Sequence, residues 1–330
     1  SGGADFEFVV EVSWTPVPAK IAWVSERHGN QEVYVANRDG SDPMNVSNYP
    51  GGDDDSPSLS ADGSKVAWRS NRGGNWEVWV ANTDGTEPVQ VTDAGDFPSL
   101  SADGSKIAWA DYHNWEHEVY VANTDGTGLV NVSDDEGYDD QPSLSADGSK
   151  VAWTSDRGGY WNVWVANADG TGAAVNVSNH DAYDSYPSLS ADGSKVAWVS
   201  DRDAGNYEVY VANTDGTGEP KNVSSDDAED LYPSLSADGS KVAWYRACGE
   251  DWEVYVASTD GTGAPPVNVS NDSDANDYSP SLSADGRTVA WESDRDWNEE
   301  VYIAKADGTG GPVNVSGNGA FDGYPSLQGN

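Results

Sequence analysis

The chain has 330 residues with 57 acidic and 17 basic side chains, giving a formal net charge of −40. That balance excludes nucleic acid and anionic membranes as partners, because every phosphate contact needs a cation the surface lacks. Hydrophobic content is 36%, yet 15 Trp and 16 Tyr supply enough large rings for a core, so the chain is not of the disordered class.

From the N-terminus, Ser1 in place of Met leaves two readings, a removed signal peptide or a cloning remnant. Phe6, Phe8, Val10 and Val12 lie in a β-prone run, and residues 1–11 have no counterpart in the rest of the chain. Val12-Ser13-Trp14-Thr15 then occupies the place of a degenerate first strand. After it the chain repeats. The segment Lys65-Val66-Ala67-Trp68 recurs with small changes at Trp23, Trp109, Trp153, Trp198, Trp244 and Trp291, at spacings of 45, 41, 44, 45, 46 and 47 residues in chain order. Seven copies at that period fit the four-stranded blade of a propeller.

Within one copy, Pro187-Ser188-Leu189-Ser190 predicts a first strand and Ala191-Asp192-Gly193-Ser194 a tight turn, since Asp-Gly supplies positive φ. Lys195 to Ser200 is a second strand, apolar on both faces as stacked blades require. Glu208 to Ala212 is a third, closed by Asn213-Thr214-Asp215-Gly216, and Lys221 to Ser224 a fourth at the rim. The predicted fold is all-β: a seven-bladed β-propeller of four-stranded antiparallel blades. The blades run about 12–48, 57–93, 98–134, 142–179, 187–225, 233–271 and 280–316, with 325–328 as a closing strand. One strand is then surplus. Residues 1–11 form an extra arm that lies along its own propeller or pairs with a neighbouring subunit.

The units Pro-Ser-Leu-Ser-x-Asp-Gly, Lys-Val-Ala-Trp-x-Ser-Asp-Arg and Glu-Val-Tyr-Val-Ala-Asn-x-Asp-Gly resemble the TolB-type propeller repeat, a relative of WD-repeat propellers. The resemblance covers residues 12–328. It implies the propeller fold and little about activity, since such repeats serve periplasmic binding proteins, surface proteins, protease gating domains and polysaccharide lyases.

The two faces differ in chemistry. One carries near-identical Asp-Gly turns. The other carries second turns and crossovers that are acidic and aromatic, and there Trp76, Trp115, Trp161, Tyr207, Trp252 and Trp297 are candidate ligand-binding residues. Rings beside carboxylates suit sugars or a protein interface equally; they also suit a plain extension of the core. Acidic runs such as Asp53-Asp54-Asp55 and Asp226-Asp227 leave calcium open as a ligand, although none has the spaced Asp loop with a distal Glu.

Catalytic constellations are weak. His113-Asn114-Trp115-Glu116-His117 spells a zinc-peptidase string but lies in a turn rather than on a helix. Cys248 has no activating pair, and a single cysteine excludes an internal disulfide framework. Asp156-Arg157, Asp201-Arg202 and Asp294-Arg295 recur at equivalent places, which suggests a salt bridge or turn clamp rather than a unique catalytic pair. The rim strand reads Asn-Val-Ser at Asn45, Asn131, Asn176, Asn222, Asn268 and Asn314, six formal N-glycosylation acceptors copied with one repeat.

The expected function is a non-catalytic, acidic interaction scaffold, secreted or at the cell surface with the periplasm as the other compartment. It would assemble into filaments by donating residues 1–11, with itself, a surface protein or a glycan as partner. A carbohydrate-binding propeller is the second reading and a polysaccharide-active enzyme the third.

Overall fold

The Asp-Gly pairs that follow the first and third strands of the repeat close hairpins through the Asp carboxylate. Asp62 Oδ1 accepts from the Ser60 hydroxyl at 2.7 Å and the Ser64 N–H at 2.9 Å, and Gly63 takes φ 68°. Asp84 accepts the Thr86 N–H at 3.0 Å in the next such turn. These turns fold every repeat into an antiparallel meander.

The computed structural model describes residues 19–112, 117–203, 205–261 and 264–327. Among the described residues, 28 strands form seven four-stranded antiparallel sheets, and there is no helix. Apolar clusters lie between blades: Ala22, Val33 and Val35 of blade one pack on Leu59, Val66 and Trp68 of blade two. Each of the seven repeat Trp residues is buried within such an interface. This explains why the second strands are apolar on both faces.

Blade one is assembled from both ends of the chain. Lys20–Ser25 pairs on one side with Glu32–Asn37 and on the other with Asp322–Leu327. The inner place allotted by the repeat count to residues 12–15 therefore belongs to the C-terminal strand. Residues 12–15, and the proposed donor residues Phe6, Phe8, Val10 and Val12, lie outside the described residues.

Inner strands begin earlier than the sequence suggested, at Asp54, Asp96, Asp139, Asp184, Asp230, Asp277 and Asp322 rather than at the next Pro. Proline marks a strand start to the eye because it cannot donate to a ladder. Here it sits inside the strand, at a β-bulge that all seven blades share. At the other end the outer strands are shorter than expected, as at Lys221–Asn222.

The Pro-Ser-Leu core of the motif joins the blades. Leu100 N–H donates to Ser58 Oγ, Leu144 to Ser99, Leu189 to Ser143, Leu235 to Ser188 and Leu282 to Ser234, at 2.9–3.1 Å. Leu327 to Ser281 and Leu59 to Ser326, both at 3.0 Å, carry the series across the seam and close it.

Candidate functional site

Six blades share a buried clamp. The inner-strand Asp accepts the indole N–H of the repeat Trp and is paired with an Arg. In blade five, Trp198 Nε1 and Arg202 Nη2 each lie 3.0 Å from Asp184 Oδ1. Arg202 Nε also donates to Ser200 Oγ at 2.8 Å, and its guanidinium covers the Tyr210 ring at 4.6 Å. The same clamp forms at Asp322, Asp54, Asp139 and Asp277, and at Asp230 the arginine, Arg246, comes instead from the position that Ser200 holds in blade five. The recurring Arg thus reaches across the blade, whereas its sequence neighbour caps the crossover: Asp156 and Asp201 accept the N–H of Tyr138 and Tyr183. Blade three departs from this pattern. Gly95 occupies the clamp position, and Trp109 has turned to Asp111 at 3.5 Å.

The Asn-Val-Ser triplet has a folding role in each part. Asn176 Oδ1 accepts the Asn179 N–H at 2.8 Å, and the other five Asn make the same turn. The Ser hydroxyl accepts the third-strand N–H, as at Ser178 and Val163, and donates to a buried side chain such as Glu32 or Glu253.

The acidic runs are divided among separate tasks. Asp54 clamps Trp68, Asp55 pairs with Arg69, and Asp53 accepts the Gln31 N–H. Among the described residues no group of three His, Cys, Asp or Glu converges as metal ligands. Residues 113–116 lie outside the described part; His117 stacks on Tyr138 with ring centroids 3.6 Å apart.

The principal cavity, about 900 Å³, lies where the inner strands meet. Gln31 on its rim marks the opening as the face of second turns and crossovers. The residue before Pro in every blade lines it: Ser56, Phe97, Gln141, Tyr186, Tyr232, Ser279 and Tyr324. All seven hold φ between 50° and 55°. A non-glycine residue in the left-handed region is uncommon, and the adjoining proline disfavours it further. The bulge turns these seven side chains toward the axis, where they form one ring.

Arg69, Tyr245 and Glu292, each directly after its repeat Trp, complete the wall together with Tyr278. Arg69 is held by Asp55 and Asp96. Tyr232 donates to the Tyr186 hydroxyl at 2.9 Å, and Tyr245 packs on Tyr232 and Tyr278 at 5.4 and 5.5 Å. Burial pushes the phenols of Tyr232 and Tyr245 well above the ordinary tyrosine range, so they remain neutral donors. Burial likewise raises Glu292 to about 7, aided by Glu299 and Asp294, against the pull of the Tyr324 N–H. Asp140 rises to about 6 by burial and by Asp96, against the Gln141 N–H and the Tyr112 hydroxyl.

The aromatic candidates fall into separate places. Trp76 covers the Arg69 guanidinium at 4.2 Å, and Trp252 packs on Tyr245 at 5.2 Å, so both back the cavity wall. Trp161 and Tyr207 belong to an arc that runs from His117 through Tyr138, Trp161 and Tyr183 to Tyr207, with neighbouring centroids 3.6–6.3 Å apart. Trp297 is 97% exposed, and Trp115 lies outside the described residues. Sequence reasoning missed the ring before Pro and also Glu292. Each occupies a place that changes beside a constant run, before Pro-Ser-Leu in the one case and after Ala-Trp in the other, and that was the available signal.

Residues 76–308 match the family model described as the TolB beta propeller domain. The chain belongs to the TolB beta-propeller family. TolB from Acinetobacter baumannii is similar in structure, with TM-score 0.60 and 20% identity, covering 94% of this chain and 67% of that one. An oligogalacturonate lyase from Vibrio parahaemolyticus aligns at TM-score 0.66 and 17% identity, over 87% and 86% of the two chains. The β-propeller domain of the Trilobed protease from Pyrococcus furiosus aligns at 0.60 and 13%, over 80% and 83%. That domain is described as having an open velcro topology, whereas this TolB-family ring is closed by its C-terminal strand. At these identities the likeness is one of fold. No curated protein matches the chain by sequence.

Proposed function

We propose that this TolB-family chain is a non-catalytic binding propeller that takes an extended segment of a partner protein into its axial cavity. One observation carries the reading: seven left-handed, pre-proline residues, one per blade, vary among Ser, Phe, Gln and Tyr while the Pro-Ser-Leu that follows them stays constant. Backbone strain of this kind, of order 1–3 kcal/mol per residue, persists where a ligand-facing geometry is over-determined by its surroundings. A funnel of tyrosines with a few polar groups suits a peptide, whose amides need donors and whose side chains need rings. Arg69, the cation on the cavity wall, is tied to two carboxylates, an arrangement that favours binding over chemistry. Placement outside the cytoplasm, in secretion, at the surface or in the periplasm, belongs to the same reading. So does self-assembly through residues 1–11, which size exclusion before and after their deletion tests.

A peptide array probed with the intact chain and with the Tyr186→Ala/Tyr232→Ala variant tests the binding mode. Peptides bound by the former and lost by the latter are expected; equal binding by both removes the cavity from the account. The arc from Tyr138 to Tyr207 favours carbohydrate as a second reading, since adjacent rings on an open face suit sugar stacking. A glycan array read beside the peptide array decides between them.

A further inference from the structure

Glu292 stands in the cavity wall with 8% of its surface exposed. Its hydrogen bond comes from the Tyr324 N–H, at 3.2 Å to Oε2. Among the described residues no Lys, Arg or His pairs with it, and the nearby charges of Glu299 and Asp294 are of its own sign. A buried carboxylate without a cation is costly to keep. Gly323 is what makes room for it: a Cβ there would collide with the Glu292 carboxylate.

The surroundings are aromatic. Tyr278 is the direct cross-strand partner of Glu292, and Tyr245, Tyr232 and Tyr324 line the same space. Ring faces carry negative electrostatic potential and attract cations. Arg69 shares the cavity but is already neutralised by Asp55 and Asp96. We infer that the bound segment is anchored by a lysine, its ammonium group held between the Glu292 carboxylate and the tyrosine faces. A lysine ammonium suits the site, being a compact point charge on a flexible stem that needs a single carboxylate oxygen, and the Tyr324 N–H bond lies on Oε2 and leaves Oε1 for it. The inference rests on the peptide-binding reading of the cavity and deepens it.

The test is calorimetric titration of the intact chain with the pentapeptide acetyl-Gly-Ser-Lys-Ser-Gly-amide and with its norleucine counterpart, which keeps the stem and loses the charge. The lysine peptide is expected to bind about tenfold tighter or better. Glu292→Gln, which keeps the shape and the acceptor for Tyr324, is expected to abolish that preference while leaving the circular dichroism spectrum unchanged. Equal affinity of the two peptides, a preference that survives Glu292→Gln, or no binding of either peptide each overturns the inference. Array hits without lysine enrichment sink the lysine anchor and leave the cavity reading standing; an array with no hits sinks both.

Discussion

Asp230 takes the Trp244 indole N–H at 2.5 Å and the Arg246 guanidinium at 2.7 Å, all in buried surroundings. Asp230→Ala leaves that guanidinium without its main partner, and the expected loss is about 3–5 kcal/mol, read from the denaturant midpoint. A second residue-scale prediction separates folding from glycosylation. Asn176→Asp keeps the oxygen that caps the turn and should fall within about 0.5 kcal/mol of the parent in unglycosylated protein, whereas Asn176→Ala should cost about 1 kcal/mol. A third concerns pH. Glu292 at about 7 and Asp140 at about 6 lie above the ordinary carboxylate range, so the folded state binds more protons than the unfolded chain in between. Their contribution is fully present below the unfolded values, about pH 4, and is lost as pH rises through about 7. The Asx-turn carboxylates Asp103 and Asp192 are held low by their Ser partners, so their contribution is lost instead as acid is added. Melting temperature should therefore fall between about pH 5 and pH 8, and Glu292→Gln should flatten that slope.

At the scale of the strand, the bulge before proline is the least expected feature. Ser279 holds φ 51° on the cavity wall, a conformation glycine adopts without a Cβ penalty. Ser279→Gly should raise stability by about 0.5–1 kcal/mol, the relieved strain exceeding the added freedom of the unfolded chain. No gain in the urea midpoint would mean that the position is unstrained. Blade number, turn chemistry and the doubly buried second strand were legible because they depend on local patterns: an Asp-Gly pair, a Trp period, an apolar run. The clamp was half legible. The recurrence of Arg157 and Arg202 suggested a bridge, but its true partners, Asp139 and Asp184, stand about one hairpin earlier in the chain. The cavity was hidden for a similar reason, since the seven pre-proline residues in its wall lie roughly one repeat apart and meet only when the ring closes. Attention to large exposed rings therefore selected Trp297, at the rim, and passed over Glu292.

For the whole molecule, a net charge of −40 on one compact ring is a self-repulsion that solvent ions relieve. Raising sodium chloride from about 20 mM to about 0.5 M should lift the melting temperature by roughly 5 °C, and an unchanged value would mean that the Arg clamps and turn carboxylates already balance the field locally. The seven serine hydroxyls that pass from blade to blade have one further consequence. They hold the inner strands to one another through positions that never face the axis, so the ring's geometry does not depend on what stands before each proline. Natural variation can rewrite those seven codons one at a time, and each change alters the lining of the cavity while the inter-blade hydrogen bonds stay in place.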